Sequence, residues 1–172
     1  MKDFIYCQND IPKDKWRYGL RSSRATGCGW ISVYNALLLM NYGCHKEKLI
    51  KYFEKQVPVV NGNIGTFLFG PAMFFKKFGF GVKTVADKKR FDSMAKQADV
   101  CILYFWWKDK FKIGAHFVAV QHTDKGFIGY NTYKQSHGPD FYGDSLESFL
   151  NKQKYFGAML TCITDKRKIN KP

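Results

Sequence analysis

"ATGCGWISVYNALLLM", residues 25–40, places one cysteine between two glycines at the head of an apolar run. At helical spacing, Ile31, Tyr34 and Leu38 fall on one side and Trp30, Val33, Leu37 and Met40 on another. A helix that is apolar on most faces is a buried helix. The pattern predicts it over 29–41, with Gly43 as its stop. Cys28 then sits where unpaired backbone N–H groups and the helix dipole favour an anion. A thiol attacks as thiolate, and such a setting lowers its pKa from about 8.5. Gly27 and Gly29 are read as room for a substrate backbone to approach. The plainer reading is a cysteine in a glycine turn.

Before this helix, residues 1–24 read as an irregular polar arm carrying Gln8, Trp16 and Tyr18. After it, a second helix is predicted over Lys46–Lys55. "VPVVNGNIGT", 57–66, reads as a loop, and Gly70-Pro71 opens a third helix ending near Gly79. A short strand, Val82–Val85, and a weaker helix, Arg90–Gln97, follow. Beyond residue 99 the pattern changes to strands at 100–107, 115–123, 127–133 and 155–164. "DSLESF", 144–149, has Asp144 as N-cap and Glu147 three residues on, the signature of a capped helix. Helices first and an antiparallel sheet second argue an α+β fold. The chain of 172 residues shows no boundary, so one domain spanning 1–172 is expected.

Bulk properties narrow the function. Hydrophobic residues make up 45% and aromatics 17%, which excludes a disordered chain. The longest apolar run is far short of a membrane span. "MKDFIYCQND" lacks the apolar region of a secretory signal, so a cytoplasmic location is expected. Five cysteines with no CxxC argue against a zinc ribbon or thioredoxin motif and for a reducing compartment. Cys44, Cys101 and Cys162 lie in apolar surroundings and read as packing residues. The net charge of +14 suggests an acidic partner or nucleic acid, yet the lysines are spread along the whole chain. "LYFWWKDKFK", 103–112, could stack on bases. It reads more simply as a core strand followed by a solvated lysine loop.

A catalytic thiol needs a base, and the chain has four histidines. His45 and His137 lie in polar loops. His116 opens an apolar strand in "GAHFVAV", as either a core histidine or a positioned base. His116 and His122 share strand parity but are too far apart for one metal. If 123–126 is a hairpin turn with His122 opposite Phe127, then Val118 faces Asn131. Asn131 becomes a diagonal neighbour of His116, within side-chain reach. A one-residue slip would turn it to the other face and leave Asp124 or Asp140 for its role.

"GCGWISVYNALL", "GTFLFGPAMFFKKFGF", "AHFVAVQ", "GYN" and "DSLESFL" occur in the order found in papain-like cysteine peptidases. The chain resembles most the bacteriocin-processing (double-glycine) peptidases and their free-standing relatives, over roughly residues 4 to 164. The resemblance implies a papain-like fold, its N-terminal helical half packing a buried nucleophile helix on a C-terminal antiparallel sheet. It implies Cys28 as nucleophile, His116 as general base and acid, Asn131 as orienting residue and Gln8 as oxyanion-hole glutamine. Two features depart from the processing peptidases. They carry Asp-Pro where this chain has Asn131-Thr132, and Gln8 lies 20 positions before Cys28 (28 − 8), a longer arm than theirs. Ser22, Ser23 or Thr26, with the Cys28 N–H, are the alternative oxyanion donors. The expected function is a bacterial thiol hydrolase that cleaves a peptide or isopeptide bond through a thioester, without metal or cofactor. Its partner would be a peptide or protein, of acidic character given the charge. An acyltransferase or transglutaminase-like enzyme on the same fold, and a basic nucleic-acid-binding module, are the alternatives.

Overall fold

Residues 3–56, 65–109 and 112–169 are described by the structure, a computed structural model. The arm is more ordered than its sequence suggests. A 3-10 turn covers Gln8–Asp10, and β1 (Arg17–Tyr18) pairs with β2 (Arg21–Ser22) in a small ribbon. α1 (Ser23–Thr26) follows, capped by the Ser22 hydroxyl accepting from Arg24 N–H. Its hydrogen bonding continues through Gly27 into α2 (Cys28–Leu39): Gly27 N–H reaches Ser23 C=O at 2.8 Å, and Ile31 N–H reaches Gly27 C=O at 3.0 Å.

α2 is buried on every side from Gly29 to Leu37, as its pattern requires. Its stop is Asn41 rather than Gly43. Asn41 takes the left-handed conformation (φ 68°), and Tyr42 N–H returns to Leu37 C=O at 2.8 Å. Asn35, fully buried, would be costly unpaired. Its amide clasps the arm, accepting from Ile5 N–H at 3.0 Å and donating to Ile5 C=O at 2.8 Å.

α3 (Lys46–Lys55) and α4 (Gly70–Lys77) fall where predicted, and Gly79 (φ 81°) closes the second of these. The segment read as a loop, 57–66, lies outside the described residues except for Gly65 and Thr66. β3 (Gly81–Val85) and α5 (Phe91–Lys96) come next, followed by β4 (Val100–Asp109), β5 (Lys112–Thr123), β6 (Gly126–Tyr130) and β7 (Asp140–Gly143). α6 (Leu146–Lys152), β8 (Gly157–Thr164) and α7 (Lys166–Ile169) complete the order. Strands β3 to β8 form one antiparallel sheet, ordered β3-β8-β4-β5-β6-β7. The α+β fold class expected from the sequence is the one observed.

Two further local readings are corrected, and one strand was not anticipated. β6 ends at Tyr130 rather than Tyr133, because Asn131 turns left-handed (φ 69°). The cap of α6 is Ser145, whose hydroxyl accepts from Ser148 N–H at 3.2 Å, and not Asp144. β7, only four residues long, carries too short a pattern to be read in advance.

Strands covered on both faces read as continuous apolar runs, and β4 and β5 are such strands. Ile102, Phe117 and Ala119 face the side packed by α2, while Leu103, Val118 and Val120 face the side packed by α5 and α6. Fully burying a side chain of the larger kind contributes about 1.5–3 kcal/mol. Cys101 and Cys162 oppose each other across β4 and β8, buried, with sulfurs 3.6 Å apart.

Candidate active site

Cys28 opens α2 and is half-buried against the sheet. Burial pushes its thiol above the ordinary 9.0, and the backbone N–H groups of Phe117, Gly29 and Cys28 itself oppose this without overcoming it. The helix start favours the thiolate as expected, but desolvation is larger. The resting group is a neutral thiol. Tyr104 stands beside it; burial, and then the charge Cys28 would carry, raise that phenol.

The flanking glycines serve packing rather than access. A Cβ on Gly27 would lie 2.5 Å from Ser23 C=O and 2.7 Å from Trp30 Nε1. On Gly29 it would lie 2.1 Å from the Thr66 hydroxyl, which also bonds the Tyr18 hydroxyl at 3.1 Å. The space beside each glycine is filled by the protein itself.

His116 lies on β5, half-buried, opposite Phe105 on β4. The peptide group after His116 supplies the Phe117 N–H that meets the Cys28 sulfur. The His116 Nε2 is 2.6 Å from the main-chain carbonyl of Asn131. A carbonyl can only accept, so Nε2 carries the proton and Nδ1 keeps its lone pair. Burial lowers the imidazole below its ordinary 6.5, against the opposing pull of that carbonyl. Thiol and imidazole are therefore both neutral at rest.

The hairpin register is the one derived from the turn: His122 pairs with Phe127 and Ala119 with Tyr130. Asn131 does arrive beside His116, but through a different atom. The left-handed turn at Asn131 presents its carbonyl to the imidazole and sends its side chain, 1% exposed, toward the arm. There Oδ1 accepts from Gln8 N–H at 2.8 Å, and Nδ2 donates to Gln8 Oε1 at 3.4 Å. The expected side-chain contact from Asn131 to His116 is replaced by a main-chain one.

Gln8 Nε2 donates to Arg24 C=O at 3.1 Å, which leaves its second N–H for another acceptor. The arm is fastened on both sides of Gln8: the Cys7 thiol donates to Lys134 C=O at 2.9 Å and Asn9 Nδ2 to the same carbonyl at 3.2 Å. The alternative residues lie in other settings. The Ser23 hydroxyl is held between Trp16 C=O and Trp30 Nε1, Ser22 caps α1, and Asp140 accepts from the Ser136 hydroxyl. Thr26 Oγ1 is buried without a hydrogen-bond partner. Asp124, His45, His122 and His137 are exposed. Among the described residues no cluster of side chains could hold a metal ion.

A cleft of about 690 Å³ opens beside His116, Asn131 and Gln8. Its other walls include Phe105, Trp107, Tyr133 and Tyr155, none of which the sequence singled out for the site. "LYFWW" could have signalled two of them, since an aromatic at every second strand position lines one face. Trp106 lies over Gly157 and Trp107 over Gly114, each ring half-buried and seated on a neighbouring strand.

No protein-family model matches the chain, and no curated protein matches it. Among the described residues no helix is long and apolar enough to cross a membrane. Among solved structures, the fold is similar to the crystal structure of the peptidase domain of Streptococcus ComA, a bi-functional ABC transporter involved in a quorum sensing pathway. The two share 13% sequence identity over 87% of this chain and 100% of that one, with a TM-score of 0.55, a likeness of fold.

Proposed function

We propose that the chain is a cysteine peptidase in which Cys28 is the nucleophile and His116 the general base and acid. Gln8 and the Cys28 N–H form the oxyanion hole, and Asn131 positions both His116 and Gln8. One observation carries the reading: Asn131 holds the imidazole by its carbonyl and the glutamine by its side chain, beside the start of α2. The likeness of fold to a peptidase domain supports peptide cleavage as the class of reaction.

The chemistry follows from a neutral pair. When a peptide binds, Nδ1 of His116 takes the Cys28 proton and the sulfur attacks the carbonyl carbon. The C–S bond forms as the carbonyl π electrons move to oxygen, where Gln8 Nε2–H and the Cys28 N–H donate to the developing charge. The imidazolium then protonates the amine nitrogen, the C–N bond breaks, and a thioester remains. Nδ1 next takes a proton from water, whose oxygen displaces the thiol. An isopeptide follows the same path. An amine in place of water would make the enzyme an acyltransferase.

The test is cleavage of a peptide library, with new termini read by mass spectrometry. Cleavage by the parent protein that disappears in Cys28→Ala, with an unchanged circular dichroism spectrum, is the expected result. Cleavage that survives this change would overturn the assignment.

A further inference from the structure

We infer that the cleft beside His116 receives the leaving-amine side of the substrate, and that it selects a peptide whose first residues there are aromatic and acidic. This rests on the peptidase reading above. The general acid must reach the departing nitrogen, so the part of the substrate bearing that nitrogen lies on the imidazole's side. The cleft contains His116 in its wall, while Cys28 is not among its lining residues.

The walls are built for a flat apolar group. Phe105 and Tyr155 stack at 4.3 Å between ring centroids, and Trp107 lies 6.1 Å from each. Phe105 in turn meets His116 at 5.9 Å. Trp107 is seated on Gly114, where any side chain would collide with the indole at 2.3 Å. Phe105 is buried beneath the others, so the half-buried Trp107 and Tyr155 form the surface beyond the imidazole, and a volume of about 690 Å³ far exceeds what a glycine fills. Aromatic groups are held on such walls by area and ring geometry together.

The rim sets the charge. Lys108, Lys134 and Lys154 line the cleft, and among the described residues no aspartate or glutamate does. Lys154 follows the end of α6 in the left-handed conformation (φ 56°), a position where glycine is the least strained residue. Lys134 has its carbonyl tied down by Cys7 and Asn9 while its side chain is exposed. These three cations complement a carboxylate one or two residues beyond the aromatic one.

The peptides Phe-Glu-Glu, Phe-Lys-Lys and Gly-Glu-Glu, each with a free amino terminus, separate these terms. They are titrated into Cys28→Ala protein and followed by NMR shifts, including the Trp107 indole. Phe-Glu-Glu should bind about tenfold more tightly than either of the others. Trp107→Ala should weaken it about tenfold, and Lys154→Gly, which relaxes the backbone, about threefold. Equal affinities, shifts elsewhere, or no shifts at millimolar peptide would overturn the inference. Library cleavage with no aromatic or acidic preference after the cut would also overturn it, while leaving the peptidase reading intact. A parent protein that cuts nothing, with Cys28 inert to iodoacetamide even above pH 9.0, would remove that reading and the leaving-group role with it.

Discussion

Strand β5 carries two histidines on one face, six residues apart, and its two ends treat them differently. At the turn end His122 is exposed, resting near Phe127 with ring centroids 5.0 Å apart. At the other end His116 is half-buried, its imidazole fixed by the Asn131 carbonyl and its pKa lowered by burial. Residue type and strand parity are identical. What differs is the cover: the N-terminal arm and the loop after β6 close over the His116 end and hold each other through Gln8, Cys7 and Lys134. The difference between the two imidazoles is made by their surroundings.

The sharpest way to break that comparison is to exchange each histidine. His116→Ala should lower turnover by about 10²–10⁴-fold, and His122→Ala should leave it within about twofold. A comparable loss at His122, measured as kcat/KM on the same peptide, would erase the distinction.

The cover can be tested next. Gln8→Ala should cost about 10²–10³ in kcat if it donates to the oxyanion. Asn131→Gly keeps the left-handed backbone and the carbonyl but loses the amide that holds Gln8. It should cost a similar factor, and the double variant should cost little more than either single one. Its pH profile should keep the acid limb of the parent, because the imidazole's partner is main chain. A shifted limb would show that the Asn131 side chain acts on His116 directly.

Titration sharpens the picture further. On the proposed mechanism turnover requires neutral His116, so it should rise with pH through a midpoint below 6.5, and it should hold until the thiol ionises above 9.0. Alkylation of Cys28 by iodoacetamide requires thiolate and should climb only above 9.0. Fast labelling at mildly acidic pH would mean an ion pair at rest and would contradict the burial argument.

The smallest effect concerns stability. A depressed folded-state pKa means that the unfolded chain binds the His116 proton more readily. The imidazole's share of stability is then complete above 6.5 and is lost as pH falls through the folded-state value. His116→Gln should therefore flatten the fall of Tm between neutral and mildly acidic pH. Thermal melts of the two proteins at matched pH decide it.

Much of this architecture is local and was legible in the sequence. The apolar faces of 29–41 specified a buried helix, and Cys28 could be placed at its start. The turn at 123–126 and the period-two alternation were enough to derive the β5–β6 register, and with it the meeting of His116 and Asn131. These features are set by neighbours a few residues apart, through turn chemistry and alternation. Tertiary structure decided the rest. The sequence could not show that Asn131 would offer its carbonyl rather than its amide, because the left-handed turn is stabilised by Gln8, 123 residues away. Nor could it show that Gly27 and Gly29 make room for Trp30, Ser23 and Thr66 instead of a substrate. The neutral state of Cys28 and His116 is likewise a property of burial. Desolvation depends on how much chain packs around a group, and no spacing pattern encodes that.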